Sequence, residues 1–167
     1  MRNTGFLALL ATVLFVSMAA YTASIRPGIP ELQLTFSQAG FQQITGLWSN
    51  ADLEKFKRHF LIDFPFLLSY GALGYRMVIA PGVFRSLTTA TRGRLALVLP
   101  LAALADGVEN VFHLFFIAAA SPQPEYAYFM AGMAALVKWL LIVAFVVAFI
   151  TALVRSARPG GGGDHAA

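Results

Sequence analysis

An apolar run that carries ionisable groups leaves a chain few ways to fold, and residues 101–117 form such a run. They read Leu-Ala-Ala-Leu-Ala-Asp-Gly-Val-Glu-Asn-Val-Phe-His-Leu-Phe-Phe-Ile. At helical spacing, Asp106, Glu109, Asn110 and His113 fall within an arc of roughly 100°. The opposite side holds Leu97, Leu101, Leu104, Val108, Val111 and Phe115. One face suits lipid and the other suits a polar interior. Ionisable groups at bilayer depth are costly, and their default reading is functional.

Composition decides which solvent this helix meets. Hydrophobic residues make up 58% of the chain and charged residues 12%, with a mean hydropathy of +0.70. A soluble domain carries about 25% charged residues. The sequence therefore predicts an integral membrane protein with one helical domain over residues 1–154. The net charge is +4, with the basic residues gathered mainly in loops and tails. That pattern points to topology and anionic lipid headgroups rather than nucleic acid. Without cysteine there is no disulfide, no thiolate metal site and no cysteine nucleophile.

The expected fold is all-α, a four-helix transmembrane bundle with spans at about 5–25, 60–84, 95–120 and 126–154. The first span is uncharged between Arg2 and Arg26 and long enough to cross about 30 Å of hydrocarbon. Its rival reading is a cleaved signal peptide, since Ser17, Ala19 and Ala20 supply small residues near its end. Residues 26–59 form an extracytoplasmic connector that caps one end of the bundle. Within it, residues 31–37 alternate polar and apolar with period two, which predicts a short strand or extended segment. Phe41, Ile44, Leu47 and Trp48 then recur at helical spacing, as in an interfacial amphipathic helix. Ser49 and Asp52 form a capping-box pattern for the helix that follows. That helix opens with a charged turn through His59, expected to be solvated. Residues 155–167, rich in glycine after Pro159, read as a disordered tail.

Lys and Arg counts orient the bundle. Arg2, the loop with Arg85, Arg92 and Arg94, and the Arg155/Arg158 pair share one side. Arg26, Lys55, Lys57 and Arg58 on the other are diluted by Glu31, Asp52 and Glu54. Both termini are expected to be cytoplasmic.

In this topology Glu109 and Lys138 lie at nearly the same depth, Asp106 sits near the midplane, and His113 approaches the level of Asp63. Asp63 and Tyr70 share a face of the second span, while Arg76 points away and should snorkel to the interface. Lys138 can neutralise only one carboxylate at a time, so the interior carries a surplus acid that should hold a proton at neutral pH. Such a cluster has two readings. It can be interhelical glue, or it can be a pocket that answers to protons or a ligand. A metal site is the weakest alternative. Glu109 and His113 share a face at i,i+4 and Asp63 could join them, but this is a poor match to known ligand patterns. No cofactor motif is present: there is no phosphate-binding glycine loop, no HExxH, no GxSxG and no dinucleotide fingerprint.

Residues 61–70 (Leu-Ile-Asp-Phe-Pro-Phe-Leu-Leu-Ser-Tyr), the Asp106-Gly107-Val108-Glu109-Asn110 segment and Val137-Lys138-Trp139 resemble a set of small bacterial four-span membrane proteins of uncharacterised function. The similarity runs over roughly residues 30–145, with Glu31-Leu32-Gln33-Leu34 and Trp48 also alike. It implies that Asp63, Tyr70, Asp106, Glu109, Asn110 and Lys138 belong together, and it implies a bacterial inner (cytoplasmic) membrane. It brings no activity. His113 stands where that family would have an apolar residue, and Pro65 also departs from the pattern.

The leading expectation is a small membrane protein whose polar cluster, Asp63, Tyr70, Asp106, Glu109, Asn110, His113 and Lys138, binds a small amphiphile or lipid or responds to protons. The alternative is a structural or accessory subunit of a larger membrane complex, or of a homo-oligomer, with the cluster fixing helix register. An intramembrane enzyme ranks last, for want of a nucleophile or cofactor motif.

Overall fold

The computed structural model describes residues 2–80 and 82–157, all helices and connections with no strand among them. In chain order the helices are α1 (Arg2–Thr22), α2 (Ile29–Gln33), α3 (Gln38–Thr45), α4 (Asn50–Ile79), α5 (Thr89–Ala118) and α6 (Glu125–Ala157). Three have stretches long and apolar enough to cross a membrane: Thr4–Thr22, Thr89–Ala118 and Glu125–Ser156. The helix of the expected second span, α4, is equally long but far more charged, from Asp52, Glu54, Lys55, Lys57 and Arg58 through Asp63 to Arg76. It also ends earlier than expected. Ala80 is extended at φ −66°, ψ 147°, the conformation that a following proline imposes on its neighbour.

Each boundary has a local cause. Ser49 and Asp52 form the anticipated capping box, each side chain bonding the other's backbone N–H. Thr88 caps α5 by accepting from the Thr91 N–H. Ser37 accepts from the Gly40 N–H at 3.1 Å to start α3, which carries the expected amphipathic pattern with Phe41 inward. Pro65 and Pro100 lie inside α4 and α5 without ending them.

The period-two segment at 31–37 is not a strand. Its first residues belong to α2, where proline in the first turn presets φ for a helix. Leu32 turns fully inward and Leu34 outward, so an alternation meant for a sheet is met within one helical turn and its exit. The tail is shorter than expected at its start, since residues 155–157 continue α6. Residues 158–167 lie outside the described residues.

α1 packs on α4, α4 on α5, and α5 on α6, while α1 and α6 share no seam of comparable extent. Glycine lets α4 and α5 approach: a Cβ at Gly74 would stand 2.5 Å from Leu99 Cβ. The connector does more than cap an end. Gln38 N–H bonds the Glu125 carboxylate at 3.2 Å, Phe36 rests on Phe129, and the Thr35 carbonyl would be 2.5 Å from a Cβ at Gly132. Trp139 Nε1 then donates to Gln33 Oε1 at 3.3 Å. Residues 33–38 therefore descend along about three to four turns of α6.

Burial is inverted relative to a soluble protein. Leu61, Leu104, Val111 and Leu140 are 77%, 65%, 60% and 61% exposed, while Glu109 is 0% exposed. Leu97, Leu101, Val108 and Phe115 also face outward, as the apolar side of α5 requires. So large an apolar exterior around a charged interior suits lipid, and the three long apolar helices suggest a membrane location.

Candidate functional site

α4, α5 and α6 bring the charged residues to one level of the interior. Asp63 and Tyr70 come from α4, Asp106, Glu109, Asn110 and His113 from α5, and Lys138 from α6, and all seven are buried. The small face of α6 makes this possible: Ala131 and Ala135 are buried against the other helices, so α6 approaches closely enough for Lys138 to reach α5.

Lys138 is the hub. Its Nζ lies 2.6 Å from Glu109 Oε2 and 3.1 Å from Asp106 Oδ1. The approach to Asp106 is a hydrogen bond. The approach to Glu109 is the closer of the two, a charge-assisted contact, and no further donor among the described residues bonds the Glu109 oxygens. Tyr70 donates its hydroxyl to Asp106 Oδ2 at 3.1 Å, so both Asp106 oxygens are engaged. Asn110 Nδ2 donates to Asp63 Oδ2 at 2.7 Å. His113 Nδ1 stands 3.7 Å from Glu109 Oε1, and its ring packs on Phe41 and Phe56. Depth counting thus brings together Glu109 and Lys138, while the Tyr70–Asp106 and Asn110–Asp63 pairs come from packing. Arg76 is exposed and takes no part. Among the described residues no three His, Asp or Glu side chains form a metal-binding group.

Three carboxylates therefore share one ammonium. Lys138 is divided between two of them, and among the described residues Asp63 has only the neutral Asn110 amide.

A cleft of about 290 Å³ reaches this cluster from between α1 and α6. Its floor is Asp63, Tyr70, Asp106 and Lys138, and its walls are apolar, with Phe15 and Met18 on α1 and Ile142, Phe145 and Val146 on α6. Gln33, at the C-terminal end of α2, and Trp139 also line it. A larger apolar groove of about 710 Å³ lies on the other side, over α4 and α5, and includes none of the charged residues.

Sequence reasoning missed three residues near the site. His59 is not solvated: it is 2% exposed, donates from Nδ1 to the Phe56 carbonyl, and stacks on Phe56. The signal was there, since His59 precedes Asp63 by one helical turn on the same face. Trp48, expected only as part of an interfacial amphipathic helix, is buried and donates from Nε1 to the Pro27 carbonyl at 2.8 Å. Gln33 had no local signal, because its partner Trp139 is distant in sequence. Comparison with protein-family models, curated proteins and solved structures finds no match to this chain.

Proposed function

We propose that this is a small integral membrane protein that holds the polar head of an amphiphile at the Asp63–Asp106–Lys138 floor of the α1/α6 cleft. In this reading α4 also crosses the membrane, as the second of four spans, with Asp63 turned inward and the charged first turns at the interface. The fold is then a four-helix transmembrane bundle with both termini cytoplasmic, in a bacterial inner membrane, and the chain is grouped with the four-span family that it resembles. Asp106 and Glu109 hold Lys138 in place, Tyr70 and Asn110 orient the carboxylates, and His113 closes the connector end beneath Phe41.

The observation that carries the reading is the cleft itself. Interhelical glue needs no access, yet here apolar walls lead from the bundle's side to buried charge. Sites for small molecules combine apolar walls with a few convergent polar groups, and about 290 Å³ accommodates a head and the first carbons of a chain, with the remaining tail left in lipid. The groove over α4 and α5 favours a second reading, an accessory subunit that receives a partner's helix there. Its lining includes Gly71, Ala72, Ala103 and Gly107, and small residues permit close helix approach.

Native mass spectrometry of the full chain from native membranes in a mild detergent tests both. A retained small molecule, lost in Ile142→Trp (which fills the cleft) and in Glu109→Gln, is the expected result. A protein partner retained in both variants, with no small molecule, would overturn the cleft reading in favour of the second.

A further inference from the structure

We infer that the head received in this cleft is a cation of the ammonium class. The inference rests on the amphiphile reading and names its chemistry. Asp63 is 5% exposed and lines the cleft. Its Oδ2 is taken by the Asn110 amide, and Oδ1 is the oxygen left for a ligand. A buried carboxyl is satisfied either by a proton or by a positive partner. Among the described residues no free cation reaches Asp63, since Lys138 is already held by Glu109 at 2.6 Å and Asp106 at 3.1 Å; a cationic head would take the place of that proton.

The walls fit the same chemistry. Phe15, Phe66, Tyr70 and Trp139 all line the cleft. Phe66 stands 5.7 Å from Phe15 and 5.1 Å from Tyr70 between ring centroids, making a continuous aromatic side. Aromatic faces attract cations, and cages of them recognise quaternary ammonium groups. Trp139 already has the Lys138 ammonium 5.3 Å from its ring centroid. An anionic head would meet Asp63 and Asp106 at the floor, with the Lys138 charge already shared by two acids. A neutral head would find the Gln33 amide and leave Asp63 holding its proton, so it gains nothing from the charge the carboxyl can carry.

Trp48 and Trp139 are the two tryptophans of the chain, so Trp48→Phe makes Trp139 emission a reporter of the cleft. The full-length variant in dodecyl maltoside is titrated with decyltrimethylammonium chloride, 1-decanol and sodium decyl sulfate, which share a tail and differ in head charge. The expected result is a saturable change at about tenfold lower concentration for the cation than for the other two. Asp63→Asn should erase that preference and Asp63→Glu retain it. Phe66→Leu, which leaves the carboxylate untouched, should weaken the cation several-fold and the alcohol little, and it serves where Asp63→Asn does not fold. Nanodiscs of phosphatidylcholine against phosphatidylglycerol separate the sources of the ammonium. If phosphatidylcholine alone blocks the titration, the natural head belongs to a bilayer lipid; if the titration persists there, it belongs to a free amphiphile. Equal response to all three heads, or preference for decyl sulfate, overturns the cationic head and leaves the cleft reading standing. No saturable response to any probe overturns both.

Discussion

Two concavities of this bundle, the α4/α5 groove and the α1/α6 cleft, differ in a way that size would rank wrongly. The groove over α4 and α5 is the larger, about 710 Å³ against 290 Å³, yet its lining has no Asp, Glu, Lys, Arg or His, and Tyr75 is its one polar side chain. In a bilayer, an apolar groove of this kind offers a lipid tail what the surrounding lipid already offers. The α1/α6 cleft is small, but it ends on three residues that ionise, Asp63, Asp106 and Lys138. Inside a membrane, apolar volume is ordinary and buried charge is rare. The sharpest way to break this comparison is to take away the charge. Lys138→Met would leave Asp106 and Glu109 buried with no cation between them. Removing one partner of a buried pair costs about 3–5 kcal/mol, and Lys138, at 3% exposure, has little solvent screening to soften that. Unfolding in mixed micelles with rising dodecyl sulfate should show the loss, and the double variant Lys138→Met/Glu109→Gln should regain part of it. If Lys138→Met unfolds like the wild type, the cluster is no more consequential than the groove.

A pair of glycines sharpens the same contrast at the α4/α5 seam. Gly107 borders the groove and has no atom within 4 Å of a built Cβ, whereas at Gly74 that Cβ would meet Leu99 Cβ at 2.5 Å. Gly107→Ala should therefore change stability by less than about 0.5 kcal/mol. Gly74→Ala should cost about 1–3 kcal/mol, because the two helices must separate to admit the methyl group. The same micelle titration compares them. An equal effect would mean that α4 and α5 are looser than their packing implies.

Tyr70→Phe makes a finer cut within the cleft. It keeps the ring and removes the hydroxyl that donates to Asp106 at 3.1 Å. Hydrogen bonds to charged groups can exceed that, but those measured within membranes average less, so a loss of about 1 kcal/mol is expected. The variant should keep the aromatic wall and hence most of any ammonium binding. A loss of binding as complete as that of Asp63→Asn would move the site's centre from Asp63 to the Tyr70–Asp106 pair.

Much of this site was legible because charge in an apolar background stands out at a period of 3.6. The inward face of α5 and the meeting of Glu109 with Lys138 follow from helical geometry and depth alone. The pairing of Asn110 with Asp63 and of Tyr70 with Asp106 does not, since it depends on how α4 rotates against α5, which Gly74 and Leu99 decide. His59 was obscured by its neighbours: Lys57 and Arg58 are exposed, and a charged turn reads as solvated even when one residue in it faces inward. The misread strand at 31–37 has a similar cause. Period two over so few residues does not separate an extended segment from a helical turn and its exit, and the deciding contacts, Thr35 on Gly132 and Gln33 on Trp139, lie far along the chain.

The smallest expected effect lies at the solvated start of α4, where the same kind of pairing has water around it. Ser49 Oγ donates to Asp52 Oδ2 at 2.6 Å and the Ser49 N–H adds a bond at 3.2 Å. These hold the Asp52 carboxyl below its ordinary 3.8, with Lys55 helping. A carboxyl whose folded pKa is depressed stabilises the fold above its unfolded value and loses that contribution as pH falls through the lower, folded value. The first turn of α4 should therefore fray only as pH drops below the ordinary 3.8 of an aspartate. Ser49→Ala should shift that fraying to higher pH, because the side-chain bond that most depresses Asp52 is gone while the backbone N–H bond remains. Backbone chemical shifts of residues 50–53 in micelles, followed from about pH 5 to about pH 2, report it directly. Bundle stability in the same window should be nearly the same for wild type and Ser49→Ala, because an exposed pair contributes little. A large difference would show that the capping turn, rather than the buried cluster, holds α4 in place, and would reverse the contrast between wet and dry charge in this protein.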